Sequence, residues 1–315
     1  MEVIKLNHPY NKNDIPQDDV VLVLGFFDGV HRGHQAVINQ GISEAKERGL
    51  KTAVMTFNRH PGFIFSNYHP RDVHYLTNIK QKENHMADIG VDYLYELNFT
   101  SSLGNLSPEA FIAEYIIGLN AKVVVAGFDY TFGNPKVANM KLMNELSGDR
   151  FDVITVDKQT GKLDEKISST AIRQAIKEGE LEKANNYLGY PYEMVGFIIH
   201  GKQRGRKLGF PTANIYPDLT LIVPKIGVYA TKTYVQGEWY DSMTSIGYNV
   251  TFGKSDEYTI ESNLFDFSGE IYGEDVKIEW HKRMRGEVKF EDVDGLIDQL
   301  KADEVEIKEY FAKEK

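Results

Sequence analysis

Residues 20–34 read Val20-Val21-Leu22-Val23-Leu24-Gly25-Phe26-Phe27-Asp28-Gly29-Val30-His31-Arg32-Gly33-His34. An aliphatic run of this length, closed by glycine, predicts a strand buried on both faces. Residues 35–48 then carry Val37, Ile38, Ile42 and Ala45 at helical spacing, and Gly49 stands where a helix C-cap belongs. Strand, turn and helix in that order open a parallel α/β sheet. The turn holds the candidate chemistry. A helix N-terminus offers unpaired N–H groups and the positive end of its dipole, which together suit a phosphate. Gly33 has no Cβ, so the backbone there can approach an anion closely. His31 and His34 can donate hydrogen bonds to charge that builds on a phosphoryl group in flight. Gly25, Phe27, Asp28 and Gly33 complete the candidate nucleotide- and phosphate-binding loop. With 9 His and 27 Gly in 315 residues, the His-x-Gly-His pattern arises by chance in roughly 2% of such chains. Alone it is also compatible with a capped surface loop carrying incidental histidines.

Working outward, the alternation continues. Strands are expected at 52–57, 92–97, 122–126 and 153–156, and helices at 80–89 and from a Ser107-Pro108 start to about 119. A parallel sheet with helices on both faces follows, with ligand sites at the carboxyl ends of its strands. Gly25–His34 and Gly127–Gly133 both fall at such ends. After a helix expected at 169–188 the pattern changes. Short strands at 195–199, 228–234, 241–246, 257–267 and 276–283, separated by glycine turns, predict an antiparallel barrel. A terminal helix at 290–311 closes the chain, with Asp303-Glu304 a candidate interruption. The domain boundary is placed at 188/189, giving domains 1–188 and 189–315.

The bulk numbers narrow the function classes. A net charge of −10 argues against a nucleic-acid surface as the main function but not against a local nucleotide site. The chain has no cysteine, hence no disulfide, thiolate nucleophile or Cys-ligated metal, and a cytoplasmic location fits. The N-terminal residues lack a signal-peptide pattern. The apolar stretch 20–27 is far shorter than the ~20 residues a membrane helix needs. No nucleic-acid or membrane partner is expected, and oligomeric state is left open.

Four further segments carry chemistry. Asn58-Arg59-His60-Pro61 follows a strand and can present the His60 imidazole at the sheet edge. Gly127-Phe128-Asp129-Tyr130-Thr131-Phe132-Gly133 brackets aromatics that could wall a ring-binding site, although such aromatics are commonly core. Ser168 and Ser169 at a helix start, with Arg173, offer phosphate ligands. The block Gly201–Asn214 holds Lys202, Arg204, Arg206 and Lys207 with Gly205 and Gly209 as a phosphate cradle. Past Pro211, Thr212 and Asn214 alternate on a strand and present hard oxygens suited to Mg²⁺. If Leu264 faces inward, period-2 alternation sends Ser262 and Ile260 inward and Glu261 to the opposite face.

In order and spacing, Gly25–His34, Gly127–Gly133, Ile167–Arg173, Gly205–Asn214, Glu261 with Leu264–Phe267, and Arg283-Met284-Arg285 resemble the prokaryotic bifunctional riboflavin kinase/FAD synthetase family over essentially the whole chain. The resemblance implies an α/β protein: an N-terminal Rossmann-like nucleotidyltransferase domain and a C-terminal β-barrel kinase domain with a terminal helix. It implies two reactions, phosphorylation of riboflavin to FMN and adenylylation of FMN to FAD and pyrophosphate. ATP would be the co-substrate of both, with Mg²⁺ or a similar divalent ion. The small-molecule partners would be ATP, riboflavin and FMN. It implies that His31 and His34 stabilise the α-phosphate and that Ser168, Ser169 and Arg173 hold the β and γ groups. In the second half Thr212 and Asn214 would hold Mg²⁺ and Glu261 would act as general base, with Gly205, Lys207, Gly209 and Pro211 at the ATP phosphates. His60, Asp129 and Phe132 would lie at or near the flavin.

The chain also departs from the family pattern. Asn58-Arg59 stands where Asp-Pro is usual, the loop after Gly133 has no further glycine, Val250 stands where proline is usual, and Tyr190 replaces an arginine. The first two changes touch the first half. They leave two readings open there: an active FAD synthetase, or a domain with weak or no such activity attached to a kinase. A third reading is an adenylyltransferase acting on another phosphate ester. A kinase-like second half argues against it.

Overall fold

The computed structural model describes residues 1–66, 68–69, 73–134, 136–157, 167–201, 205, 209–248 and 258–314. The chain divides into two compact units, Met1–Ser169 and Thr170–Lys315.

The first unit is a six-stranded parallel sheet of β1 (Glu2–Leu6), β2 (Val20–Leu24), β3 (Lys51–Phe57), β4 (Tyr93–Leu97), β5 (Ala121–Gly127) and β6 (Asp152–Val156), in the order β1-β4-β3-β2-β5-β6. β2 is buried at every residue, as a central parallel strand must be. Its side chains alternate. Val20, Leu22 and Leu24 join one apolar cluster, and Val21 and Val23 the other. The helices α1 (Arg32–Arg48) and α2 (Ile79–Ile89) cover the second cluster through Val37, Ile38, Ala45 and Met86. The first is covered by α3, which starts at Pro108–Phe111 with Ser107 as N-cap and continues as a π turn over Ile112–Ile116 and a 3₁₀ turn over Ile117–Leu119. Met140 and Met143 of α4 (Met140–Ser147) pack on the same side. Gly49 and Gly90 close α1 and α2 as C-caps. The edge strand β1 and helix α4 were not expected from the sequence.

The second unit begins with two helices where one was expected. Gly179, at φ 82°, ends α5 (Ser169–Glu178) and separates it from α6 (Leu181–Leu188). The sequence reading put residues 169–188, as one helix, in the first domain. By contact, α6 packs on β7 (Tyr192–Ile199) and β12 (Asp275–Arg285). Asn185 accepts the N–H of Tyr192 at 2.8 Å and donates to the carbonyl of Trp280 at 2.8 Å. With β8 (Ala213–Pro217), β9 (Gly227–Val235), β10 (Glu238–Tyr248) and β11 (Tyr258–Leu264) these strands close an antiparallel barrel in the order β10-β11-β8-β7-β12-β9.

The inside of the barrel is partly polar. Thr231, Ser242, Thr233, Ser262 and Thr244 are fully buried. Their hydroxyls form a closed ring with successive O···O distances of 2.9, 2.8, 3.1, 2.9 and 2.7 Å. A hydroxyl both donates and accepts, so a ring satisfies every member without water. Val228, Ala230 and Met243 alternate with these residues and face outward, under Ile307 and Phe311 of α7 (Val293–Glu314). α7 runs unbroken through Asp303, contrary to the expected interruption. The Asp303 carboxylate is buried because the Arg285 guanidinium forks onto it at 2.7–3.0 Å, and Gln299 donates to it at 2.8 Å.

Candidate functional site

In the first unit the loop after β2 leaves the sheet where strand order reverses, between β2 and β5. Ligand crevices form at such points. Phe27 lies at φ 52° and the β-branched Val30 at φ 33°, with Gly29 at 80°. Left-handed backbone costs a side-chain-bearing residue roughly 1–3 kcal/mol and persists only where its surroundings hold it. Here they do. Asp28 Oδ1 accepts the N–H of Leu76 at 2.9 Å and of Thr77 at 3.3 Å. The Gly29 N–H donates to Thr77 Oγ1 at 3.0 Å, the Thr56 hydroxyl to the Phe26 carbonyl at 2.8 Å, and the Ser169 hydroxyl to the Asp28 carbonyl at 2.9 Å. Asp28, expected at the nucleotide, thus braces the loop through this oxygen.

His31 caps α1: its Nδ1 accepts the N–H of His34 at 3.2 Å. An accepting nitrogen carries no proton, so the neutral ring has its hydrogen on Nε2 and can donate from there. The two rings stack at 3.5 Å between centroids, 17° from parallel, and the Phe27 ring meets His34 edge-on at 5.2 Å. A Cβ at Gly33 would press on the His31 ring at 3.2 Å. Burial, then His31, then Lys82 hold the pKa of His34 well below its ordinary 6.5. His34 is therefore a neutral hydrogen-bonding imidazole near pH 7 rather than a cation. Its Nδ1 is buried without a hydrogen-bond partner among the described residues.

A cavity of about 780 Å³ opens at the carboxyl ends of β3, β4 and β5, walled by Phe57, Phe65, Phe99, Phe111, Tyr130 and Phe132. Phe132 is at once core and cavity wall. His60 stands by the loop after β2, its ring T-shaped to that of Phe26 at 5.2 Å between centroids and its Nδ1 accepting the Gly62 N–H at 3.0 Å. Asp129 is exposed past the end of β5. Asn58 ties β3 to β4: its amide donates to Asn98 Oδ1 at 3.1 Å and its carbonyl oxygen accepts the Phe99 N–H at 3.2 Å. Thr131 and Asn139 pair as an antiparallel bridge, and Val137 and Ala138 line the cavity. Ser168 and Arg173 are both half-buried, just before α5 and one turn into it.

In the second unit, Glu261 of β11 pairs in register with Asn214 of β8, so both side chains share the outer face of the barrel. Ile260, Ser262 and Leu264 are buried, so the expected alternation holds. The Thr212 hydroxyl, one residue before β8, donates to Glu261 Oε2 at 3.1 Å. Asn263, next but one on the same face, donates to the Pro211 carbonyl at 2.6 Å and so fixes the turn that carries Thr212. Glycine is required at 205, where a Cβ would overlap the Phe210 carbonyl, and at 201 a Cβ would displace the Asn214 amide. Gly209 closes that turn at φ 87°. Lys202, Arg204, Arg206, Lys207 and Val250 lie outside the described residues. Among the described residues no group of three or more His, Asp or Glu is placed to hold a metal ion. The side-chain oxygens of Thr212 and Asn214 suit a hard cation that keeps water and phosphate ligands, as Mg²⁺ does, with the Glu261 carboxylate beside them.

Sequence reasoning missed Thr56, Thr77, Lys82 and Asn263. Lys82 left one signal: it precedes Met86 by four and Ile89 by seven, which puts a lysine on the apolar face of α2.

Comparison with known proteins gives each half of the chain a family. The FAD synthetase family matches residues 14–171 and the riboflavin kinase family residues 188–311. The chain is 48% identical over 313 residues to the bifunctional riboflavin kinase/FMN adenylyltransferase of Listeria monocytogenes and 42% over 315 to that of Bacillus subtilis, covering 99% of each chain in both pairs. A crystal structure described as a macrolide-efflux protein from Streptococcus pneumoniae superposes with a TM-score of 0.88 at 40% identity, over 97% of this chain and 99% of that one. Efflux is said only of that protein. Among the described residues of this chain no helix is long and apolar enough to cross a membrane.

Proposed function

The chain belongs to the bifunctional riboflavin kinase/FMN adenylyltransferase family, and from that premise we infer that it runs both reactions, one in each unit. It phosphorylates riboflavin to FMN with ATP, then adenylylates FMN with a second ATP to give FAD and pyrophosphate. The observation that carries this reading is the presence in one chain of two unrelated phosphate-handling constellations, the stacked His31/His34 pair and the Thr212–Asn214–Glu261 group.

For phosphoryl transfer, Glu261 accepts the proton of the ribityl 5′-hydroxyl as its oxygen bonds to the γ-phosphorus and ADP leaves. Thr212 and Asn214 would hold Mg²⁺, which supplies charge neutralisation at the ATP phosphates. The family resemblance assigns Gly205, Lys207, Gly209 and Pro211 to that cradle. Because Thr212 already donates to Glu261, the carboxylate is aimed before substrate arrives.

For adenylyl transfer, a phosphate oxygen of FMN bonds to the α-phosphorus of ATP and the α–β bridging bond breaks, releasing pyrophosphate. His31 Nε2–H and a ring N–H of His34 donate to the α-phosphate oxygens as negative charge builds there. The family resemblance assigns Ser168, Ser169 and Arg173 to the β and γ groups. The aromatic cavity suits the flavin ring system, with Phe132 in its wall and His60 and Asp129 nearby. The kinase-only alternative rested on the altered loops at 58–61 and 134–139. Asn58 serves as a β3–β4 tie and a cavity of about 780 Å³ stands beside Asn134, Val137 and Ala138, which supports a working synthetase. A cytoplasmic site of action fits two ATP-consuming steps and a chain without cysteine.

The test is direct. Incubation with riboflavin and ATP–Mg²⁺ is expected to give FMN, and incubation with FMN and ATP–Mg²⁺ to give FAD, each followed by chromatography. FMN without FAD would leave the kinase alone standing.

A further inference from the structure

Lys82 is a buried ammonium that neither reaction uses. It lies in the first turn of α2 with 3% of its surface exposed. Its Nζ donates to the Phe26 carbonyl at 2.7 Å and to Thr56 Oγ1 at 3.2 Å, and sits 4.4 Å from the centroid of the Phe26 ring. The Thr56 hydroxyl donates to the same carbonyl at 2.8 Å. Two donors, one of them charged, therefore converge on one carbonyl oxygen beneath the phosphate loop.

The peptide plane carries the consequence. Across a trans peptide the N–H points opposite to the C=O. With the Phe26 carbonyl drawn into the Lys82–Thr56 cluster, the N–H of Phe27 points the other way, out of that cluster. Among the described residues it has no acceptor. Phe27 pays for this orientation with its left-handed φ of 52°. Rotating the 26–27 peptide would relieve the strain but would turn a carbonyl oxygen where the N–H now points. It would also shift the Phe27 ring that packs on His34.

We propose that Lys82 is a positioning residue of the adenylyl-transfer site, holding the Phe26 carbonyl so that the Phe27 N–H stays turned toward the α-phosphate. The inference rests on adenylyl transfer being the reaction of the first unit. Lys82 acts through the peptide and touches no substrate. Three residues of the same chain segment support it: Leu76, Thr77 and Lys82 all grip residues 26–29, so the stretch leading into α2 and its first turn are the back wall of the loop. The pKa of Lys82, lowered by burial to about 8, shows that its charge is costly where it stands, with Asp28 and Glu96 offsetting part of that cost.

The test uses the full-length chain, with riboflavin phosphorylation by the same preparation as the internal control. Lys82→Met is expected to lower kcat for FAD formation about 100-fold, the scale of one lost oxyanion-type donor, with KM for FMN within about twofold. Its melting temperature should not fall and its riboflavin phosphorylation should be unchanged. Lys82→Arg, which restores a charged donor, should recover about tenfold of the loss. Wild-type kcat in Lys82→Met overturns the proposal, as does a loss confined to KM or one that Lys82→Arg does nothing to restore. Should Lys82→Met fail to fold, Thr56→Val decides: a fall in kcat at constant KM supports the clamp, and an unchanged kcat overturns it. If the unmodified chain forms no FAD, the adenylyltransferase reading fails first and the proposal with it. If it forms FAD and Lys82→Met does so equally well, only the proposal fails.

Discussion

The hydroxyl of Thr212 donates to Oε2 of Glu261 across 3.1 Å, joining the strand of the candidate base to the turn of the candidate metal ligand. The hydroxyl hydrogen of Thr212 is thus committed to aiming a carboxylate while the lone pairs of its oxygen can face a cation. Glu261→Gln keeps the shape of this pair and removes the base. We expect riboflavin phosphorylation to fall about 10²–10⁴-fold, as for loss of a general base. FAD formation from supplied FMN should stay within about twofold of wild type, because it uses none of these residues. A chromatographic assay of both products on one preparation checks this. Parallel loss of both would contradict independent sites.

His31 has two duties, capping α1 through Nδ1 and donating from Nε2. His31→Ala should lower FAD formation about 10²–10³-fold. It should also cost about 1 kcal/mol of stability in the first unit through the lost cap. His31→Asn keeps a capping oxygen. It should restore most of the stability and little of the activity, which denaturant titration and steady-state rates would separate.

Two buried groups set a pH signature on stability. His34 has a folded pKa well below 6.5, so the unfolded chain takes up the proton first, and stability should fall as pH drops below about 6.5. Lys82 has a folded pKa of about 8 against 10.5 unfolded. Between those values the unfolded state again binds the extra proton, so stability should rise with pH, by roughly 3 kcal/mol in all. Asp28 and Glu96 act on Lys82, and Lys82 and His31 on His34. Comparing wild type with Lys82→Met by chemical denaturation at pH 7.5 and 10 isolates the lysine, since the alkaline rise should be absent from the variant.

Val137 is 55% exposed on the rim of the aromatic cavity, so a larger side chain there burdens no core. Val137→Trp should narrow the mouth and raise KM for FMN about tenfold, the cost of a few lost or crowded contacts. Riboflavin phosphorylation and melting temperature should not change. An unaltered KM would place the flavin elsewhere.

The five hydroxyls inside the barrel depend on one another, with, among the described residues, only Thr231 and Ser242 also reaching a backbone carbonyl. Thr233→Val matches the shape of threonine but leaves Ser242 and Ser262 each short of a partner. A loss of about 1–3 kcal/mol is expected from stranding buried hydroxyls. Urea titration of the second unit's transition would measure it.

Much of this was legible in the residues. The unbroken Val20–Leu24 run could only be a central strand, and alternation through Ile260, Ser262 and Leu264 put Glu261 on the outer face. Misreadings occurred where a local pattern had a non-local resolution. A carboxylate at Asp303 reads as a break because the chain near it does not show the Arg285 fork that lets the helix bury it. Residues 169–188 looked like one helix until Gly179 was seen at φ 82°.

The sequence by itself determined the two architectures, the family and the two phosphate motifs, because strand and helix periodicity and motif spacing are properties of neighbouring residues. Only the tertiary structure decided how those motifs are held. The stacking of His31 on His34, the Thr212–Glu261 bond and the grip of Lys82 on the Phe26 carbonyl join residues from 3 to 56 positions apart. The longer of these contacts depend on which strands are neighbours and which face a helix buries, and chain spacing alone carries no record of that.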